Sequence, residues 1–401
     1  MIKKMFKGYK DLLKGDAVKF IILMGIVSLF ADMTYEGSRS ITGPYLAILG
    51  ASAVTVGFVA GFGELAGYVI RFFSGHLTDR THGYWTITLI GYLINLIAVP
   101  LLALAGSWEV AAVLIIVERV GKGIRVPSRD VMLSHACSQV GPGWGFGLHE
   151  ALDQIGAIMG PLIVALVLFL HGSYQLGFAF LLLPAVLAIM VLVISRSLYP
   201  HPHNLEVSTP PVDTKGFNKV YWLYVISAAL IAAGFADFAL IAYHFQKTAL
   251  VSPGLIPIFY AVAMGVDGVA ALLFGRLFDK YGLSIMIVVA LLSALFAPMV
   301  FLGGFYVAFL GMAIWGVSMG AQESIMRSAV AVMSTVKKRG SAYGIFNTIF
   351  GVSWFAGSVI MGILYSFSIT DLVIFSVLIQ LISIPFFIAM LKIRNPVEGI
   401  P

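Results

Sequence analysis

One cysteine, Cys137, stands in the 401 residues, so no internal disulfide braces the chain and cysteine usage says nothing about redox compartment. Charge is just as scarce: Asp, Glu, Lys and Arg make up 11% of the residues, against ~25% in an ordinary soluble domain. Hydrophobic residues make up 60%. That balance excludes a soluble enzyme, a disordered tail and a nucleic-acid-binding module, although the formal net charge is +6. No phosphate-binding glycine loop, metal-ligand cluster or nucleophile–base arrangement stands out, and His201-Pro-His203 is too sparse to be a metal site. The sequence therefore calls for no enzyme activity, no catalytic residue, no cofactor and no metal.

What is there in abundance is apolar sequence of spanning length. Such runs recur at 20–46, 52–74, 84–105, 109–133, 144–170 and 174–195, and again at 219–246, 254–276, 284–303, 305–333, 342–366 and 371–391. A bilayer crossing takes ~20 apolar residues. The runs are continuous rather than alternating, which excludes a barrel, and backbone in lipid must satisfy itself within the segment. The expected fold class is an all-α polytopic membrane protein of twelve transmembrane helices in two pseudo-symmetric six-helix bundles. The expected domains are a cytoplasmic amphipathic segment 1–19, a bundle 20–195, a cytoplasmic linker 196–218, a second bundle 219–392 and a cytoplasmic tail 393–401.

Orientation follows from basic residues flanking the spans. With both termini cytoplasmic, the inner side holds the six lysines from Lys3 to Lys19, then Arg80, Arg196, Lys215, Lys219, Arg276, Lys280, Lys337, Lys338, Arg339, Lys392 and Arg394. The outer side keeps Lys247 alone.

The two halves echo each other. Phe30-Ala31-Asp32 recurs as Phe235-Ala236-Asp237, and Gly75-His-Leu-Thr-Asp79-Arg80 as Gly275-Arg-Leu-Phe-Asp279-Lys280. The doubled G-x-L-x-D-[RK] signature is joined by R-x-x-x-G at Arg119–Gly123 and by G-x-x-x-G-P at Gly156, Gly160 and Pro161. On these motifs the chain resembles the major facilitator superfamily over essentially its whole length. The resemblance implies two bundles rocking about a central site, with spans 1, 4, 7 and 10 lining the cavity. It implies gating roles for Gly75, Asp79, Arg80, Gly275, Asp279, Lys280, Gly156, Gly160 and Pro161, and it associates the third motif with exporters that exchange substrate for protons. It further implies a monomer. Asp79 is expected to cap the eleventh span near Ser341. Neither copy of the first motif carries the family's trailing basic pair: one continues Thr81-His82-Gly83-Tyr84, the other Tyr281-Gly282-Leu283. Arg80, Arg129 and Asp130 are the candidate substitutes in the inner gate.

Ionisable groups within spans are costly in lipid and face a cavity, a partner or a pathway. Span 1 carries Asp32, Glu36 and Arg39, within roughly a 60° arc of one helical face. Span 4 carries Glu118, Arg119, Lys122, Arg125 and Arg129; span 5 adds His149, Glu150 and Asp153; span 2 adds Glu64 and Arg71. Spans 7, 8 and 10 hold Asp237 and His244, Asp267, and Gln322, Glu323 and Arg327. Burial and a neighbouring guanidinium act in opposite senses on a carboxylate's proton affinity, so such a pairing can couple protonation to binding. Asp32, Glu36, Arg119, Glu118, Asp237, Glu150 and Asp153 are the proton-coupling candidates. Arg39, Lys122, Arg125, Tyr35, Tyr243, His244, Trp315, Gln322 and Glu323 are the substrate-binding candidates. The alternative is a web of permanent salt bridges, in which Arg125 and Arg129 snorkel near the inner end or pair with Asp130 and Glu150. Pro127 is expected to break span 4 between them.

The function expected is secondary active transport of a small organic solute by alternating access, proton-coupled export in the first instance. Proton-coupled import of an organic anion is the alternative favoured by the basic row of span 4, and a transport-inactive receptor or scaffold is the alternative of another class. The expected partners are the solute, protons and membrane lipid, with no nucleic acid. The expected location is a bacterial inner membrane.

Overall fold

A computed structural model describes residues 15–140, 142–202, 219–333 and 339–394. These are helical, with no strand among the described residues. In chain order they form α1 Asp16–Ile48, α2 Ala53–Thr81, α3 Tyr84–Leu101, α4 Trp108–Val140, α5 Pro142–His171, α6 Tyr174–Phe180 and α7 Leu182–Leu198. After the linker come α8 Lys219–Gly234, α9 Phe238–Thr248, α10 Ile256–Tyr281, α11 Ile285–Leu302, α12 Phe305–Met333, α13 Arg339–Phe367 and α14 Ile369–Arg394. Among the described residues eleven helical segments are long and apolar enough to cross a membrane. The twelfth expected span is α4, whose 33 residues are length enough but which carries the row of charges from Glu118 to Arg129. Side chains such as Leu272, Val269, Leu170 and Leu183 are two-thirds or more exposed, which suits a lipid-facing belt and not a water-facing one. The chain is an integral membrane protein.

Compaction divides the chain into two units. The first takes the chain up to Ser38, Val69–Ala105 and the stretch from Val113 through α7. Its core joins Phe20, Met24, Val27 and Ala31 of α1 to Tyr92 and Leu96 of α3, Met132, Leu133 and Ala136 of α4, and Ala185, Ala188 and Leu192 of α7. The spacing of three and four along each helix turns one stripe inward. Within this unit α5 crosses α1 backbone to backbone: a Cβ on Gly156 would fall on the Leu29 carbonyl, and one on Gly160 on the Met33 carbonyl. Gly91 of α3 lies as closely on the backbone of Arg125.

The second unit takes Arg39–Tyr68, Gly106–Ala112 and the helices from α8 onward. Here the half of α1 leading to the α1–α2 turn lies on α9, with Gly43 against the Ala239 carbonyl. Gly57 and Gly61 of α2 lie against Ser358 and Phe355 of α13.

Two helix expectations are corrected. Pro127 does not break α4, which runs on to Val140. A proline removes one helical donor, the one to the carbonyl four residues before it, here Gly123; in the same turn Ser74 Oγ of α2 donates to the Ile124 carbonyl (2.6 Å) and Ser128 Oγ to that of Arg125 (3.2 Å). Conversely, the run 219–246 is not one helix: it opens at Phe235–Asp237 between α8 and α9. Backbone freed inside a membrane protein must be satisfied from within the protein, and it is. Ser376 Oγ (2.6 Å) and Gln380 Nε2 (3.0 Å) donate to the Gly234 carbonyl, and Trp315 Nε1 donates to that of Ala236 (3.0 Å). The Asp237 carboxylate caps α9, accepting from the Ala239 N–H at 2.9 Å.

Candidate functional site

The first unit gathers the charges of α1, α4 and α5. Asp32 and Glu36, one turn apart on α1, are both buried, at 4% and 7% exposure. Glu36 Oε1 lies 3.9 Å from Lys122 Nζ of α4. That ammonium sits over the Tyr35 ring, 3.9 Å from its centroid, a cation–π placement that suits a desolvated cation. Arg125, one turn further along α4, is wholly buried. Its guanidinium lies over Tyr92 of α3 at 4.3 Å and faces Tyr35 at 5.6 Å. Nε, Nη1 and Nη2 of Arg125 have no hydrogen-bond partner among the described residues, and neither do Tyr92 Oη, Asp32 Oδ1 and Asp153 Oδ1. Asp32 interacts electrostatically with Asp153, Lys122, Glu36 and Arg125.

A second motif in the same unit leads away from Asp153. His149, one turn before it on α5 and buried, shares a hydrogen bond with Ser28 Oγ of α1 at 2.9 Å. Arg129 Nη1 donates to the same hydroxyl at 3.3 Å, and Arg129 is salt-bridged to Asp130 at 2.9 Å. Asp130 is the partly exposed end of this chain, its side chain 45% accessible. Arg129 thus pairs with Asp130, whereas Arg125, at 0% exposure, does not snorkel.

Glu118 and Arg119 pair with each other, Oε2 to Nε at 3.3 Å, and Asn95 Nδ2 donates to Glu118 Oε1 at 2.7 Å. Glu150 is exposed. In the motif of the first inner loop, Gly75 lies beside Pro127, with 3.7 Å between an added Cβ and the proline ring, while Asp79 and Arg80 are exposed.

In the second unit Arg39 is held in an ion triad: its Nη2 donates to Asp237 Oδ2 at 3.0 Å and lies 3.6 Å from Glu64 Oε1. Asp237 therefore serves at once as helix cap and counter-ion. Tyr243 and His244 are buried on α9. His244 Nδ1 hydrogen-bonds Tyr365 Oη at 3.0 Å, and the Tyr243 ring meets Tyr365 edge-on at 5.7 Å. Trp315 is sealed among Phe235, Phe238 and Tyr260. Gln322 is buried, and its amide nitrogen and oxygen have no partner among the described residues; Glu323 is exposed. Gly275 faces Ser324 Oγ, and Lys280 Nζ lies over the Tyr281 ring at 5.0 Å. The side chains of Asp279, Arg327 and Ser341, together with Lys337 and Lys338, lie outside the described residues.

His149 and Ser28 carried no role in the sequence reading, although each stands four residues before an acid, Asp153 and Asp32 respectively, and so shares its face. Tyr92 and Asn95 gave no signal, because an isolated aromatic or amide in an apolar run reads as packing.

Ionisable groups buried between membrane spans mark a pathway, a relay or a ligand site. Residues 24–358 match the Major Facilitator Superfamily, and the chain belongs to that superfamily. An uncharacterised protein of Mycobacterium tuberculosis is 38% identical over 387 residues, which is 95% of this chain and 94% of that one. An uncharacterised MFS-type transporter of Methanocaldococcus jannaschii is 27% identical over 369 residues, 87% of this chain and 89% of its own. Among solved structures, a bacterial homologue of the human lysosomal transporter Spinster superposes with a TM-score of 0.76 at 13% identity, covering 97% of this chain and 99% of that one. The nucleoside transporter NupG superposes with a TM-score of 0.70 at 16% identity, covering 93% and 98%. Those two structures share the fold. The protein is a secondary transporter of a small solute and not an enzyme.

Proposed function

We propose that the protein couples solute movement to protons through the acids of the first unit, with Asp32 as the coupling carboxylate. The observation that carries this reading is the burial of Asp32 beside Glu36, Asp153, Lys122 and Arg125, with hydrogen-bonding capacity on Asp32, Asp153 and Arg125 left unmet. An acid held this way changes its charge when a neighbouring charge moves, and Arg125 stays charged while the acids titrate. Glu36 and Lys122 complete the cluster. The pair Glu118–Arg119 braces α4 against α3, and Arg39–Asp237 joins α1 to α9.

The proton's route runs past His149 and Ser28 toward half-exposed Asp130, with His149 as its titratable step and Arg129, which keeps its own proton, holding Ser28 and Asp130 in place. Asp79, Arg80 and their counterparts Asp279 and Lys280 gate the inner side. On the positive-inside pattern both termini are cytoplasmic. The protein works as a monomer in a bacterial inner membrane.

Two senses of coupling fit this cluster. Exchange, which drives export, draws on the close α5–α1 crossing at Gly156 and Gly160, the motif the family resemblance links to exporters. Symport, which drives import, draws on the buried cations Lys122 and Arg125. The test is a proteoliposome holding a pH dye and loaded with solute, so that solute runs outward. Exchange acidifies the lumen, symport makes it more alkaline, and Asp32→Asn abolishes either signal. Solute flux with no proton movement sinks the reading.

A further inference from the structure

We infer that the transported solute is an organic acid whose carboxylate or phosphoryl headgroup is taken by Arg125, with Tyr92 and Tyr35 flanking it and Lys122 as a second cation. The inference rests on the proposed role of the Asp32 cluster and gives that cluster its substrate class.

A guanidinium offers five N–H donors in a plane suited to two oxygens of one anion. Arg125 is 0% exposed, yet none of its three nitrogens meets an acceptor among the described residues. Burying such a group with its donors unmet is costly, and an anion seated there would remove that cost. The two tyrosine faces, at 4.3 and 5.6 Å, offset part of that cost without using a single donor. They leave the in-plane edges of the guanidinium uncommitted, which is where a carboxylate binds. Tyr92 Oη, itself without a partner, is a further donor beside it.

Packing fixes the cation in place. Gly91 brings α3 onto the backbone of Arg125 so closely that a Cβ there would lie 2.6 Å from its amide nitrogen. The backbone and Cβ from which the Arg125 side chain springs are therefore held against α3. The Arg119 and Arg129 side chains, by contrast, have carboxylate partners at 3.3 and 2.9 Å. Lys122 shares the Tyr35 ring with Arg125 and holds Glu36 only loosely, at 3.9 Å, so it is free to turn toward a second oxygen. The site is closed over in this state, and the anion enters when alternating access opens it.

The acids then set the sense of coupling. Asp32 and Asp153 both act on Arg125 electrostatically, without a hydrogen bond to it. An anion seated on Arg125 adds a negative charge next to them and favours their protonated forms. Anion and proton therefore bind together, which is symport.

The test is a thermal-shift measurement on the full-length protein in detergent, without any gradient. The probes are benzoate, phenylacetate, 4-phenylbutyrate and phenylphosphonate, each beside its neutral amide or alcohol. A ligand that binds the folded state raises Tm. At least one acid is expected to raise Tm at millimolar concentration while its neutral counterpart does not, with a larger shift at pH 6 than at pH 8. Arg125→Gln is expected to weaken that acid's binding by about tenfold to a hundredfold, and Arg125→Lys, which keeps the charge but not the fork, to retain part of it. Shifts given only by neutral probes, shifts untouched by Arg125→Gln, or no shift from any acid each overturn the inference. The wild-type comparison of acid with neutral partner decides even if a variant fails to fold. Acid binding lost with Arg125 but accompanied by no proton movement in liposomes would sink the coupling reading and leave the anion site standing; coupled flux of neutral solutes alone would do the reverse.

Discussion

At the scale of single residues, Asp237 carries two duties that separate in a double-mutant cycle. It caps α9 and it neutralises Arg39, itself 9% exposed. Asp237→Ala removes a cap worth ~1 kcal/mol and takes from a buried guanidinium its 3.0 Å carboxylate partner, with Glu64 at 3.6 Å remaining beside it. Breaking one partner of a buried pair costs about 3–5 kcal/mol, so a large fall in Tm is expected from thermal unfolding in detergent. Adding Arg39→Met should recover the charge part and leave only the cap deficit. If the double variant is no more stable than Asp237→Ala, the pair is not what Asp237 serves. This pairing also marks a limit of the sequence. Helical periodicity puts Asp32, Glu36 and Arg39 on one face of α1, and all three are buried. It cannot say that Arg39 turns to a residue 198 positions away while Glu36 turns to Lys122, because partner choice is set by which helices cross at that height. The repeat misled in the same place: Asp32 lies inside a continuous helix, whereas Asp237, its echo, ends a break and begins α9.

Helices were legible as elements because apolar runs of bilayer length allow nothing else, but their interruptions were not. Gly234 and Asp237 are a stop and a start signal when read locally. Inside a hydrophobic run of spanning length they were overridden by the expectation of one crossing. What makes the break affordable lies elsewhere in the chain, in Trp315, Ser376 and Gln380. Trp315→Phe keeps an aromatic ring but removes the N–H, stranding the Ala236 carbonyl, and leaves a small void where the indole's second ring was. The expected loss is about 1–3 kcal/mol, read as a lower Tm with faster amide exchange around 236–240; unchanged stability would mean that the carbonyl finds another donor. The opposite case is Pro127, which reads as a stop yet lies inside a helix that runs on to Val140. The α5–α1 crossing gives an element-scale prediction of its own. Gly160→Ala drives a methyl group into the Met33 carbonyl, and overpacking at such a contact costs about 1–3 kcal/mol. Transport should fall with stability, and Gly147→Ala, where an added Cβ meets nothing within 4 Å, serves as the neutral control on the same helix.

At the scale of the molecule, the second unit holds the α1–α2 turn in close packing. The part of α1 and α2 around their turn is sealed against α9 and α13: Gly57 and Gly61 admit Ser358 and Phe355, and Phe58 and Phe62 lie edge-on to Phe355 at 5.6 and 6.0 Å. Small residues at such crossings let helices meet closely. A carrier with two states of similar energy is moved between them by a few kcal/mol. Gly57→Trp should therefore act as a wedge. The overpacking penalty of about 1–3 kcal/mol falls only on the sealed state and shifts the ratio of states by roughly 5–150-fold. The lone cysteine makes the measurement simple, since Cys137→Ser gives a cysteine-free chain. Ser358, 2% exposed beneath Gly57, becomes the reporter as Ser358→Cys. A membrane-impermeant maleimide added from the side of the α1–α2 turn should label it slowly in the parent and many-fold faster with the wedge, while solute flux drops. Equal labelling in both would mean that this contact is a fixed part of the scaffold and that the switch between states lies at another crossing.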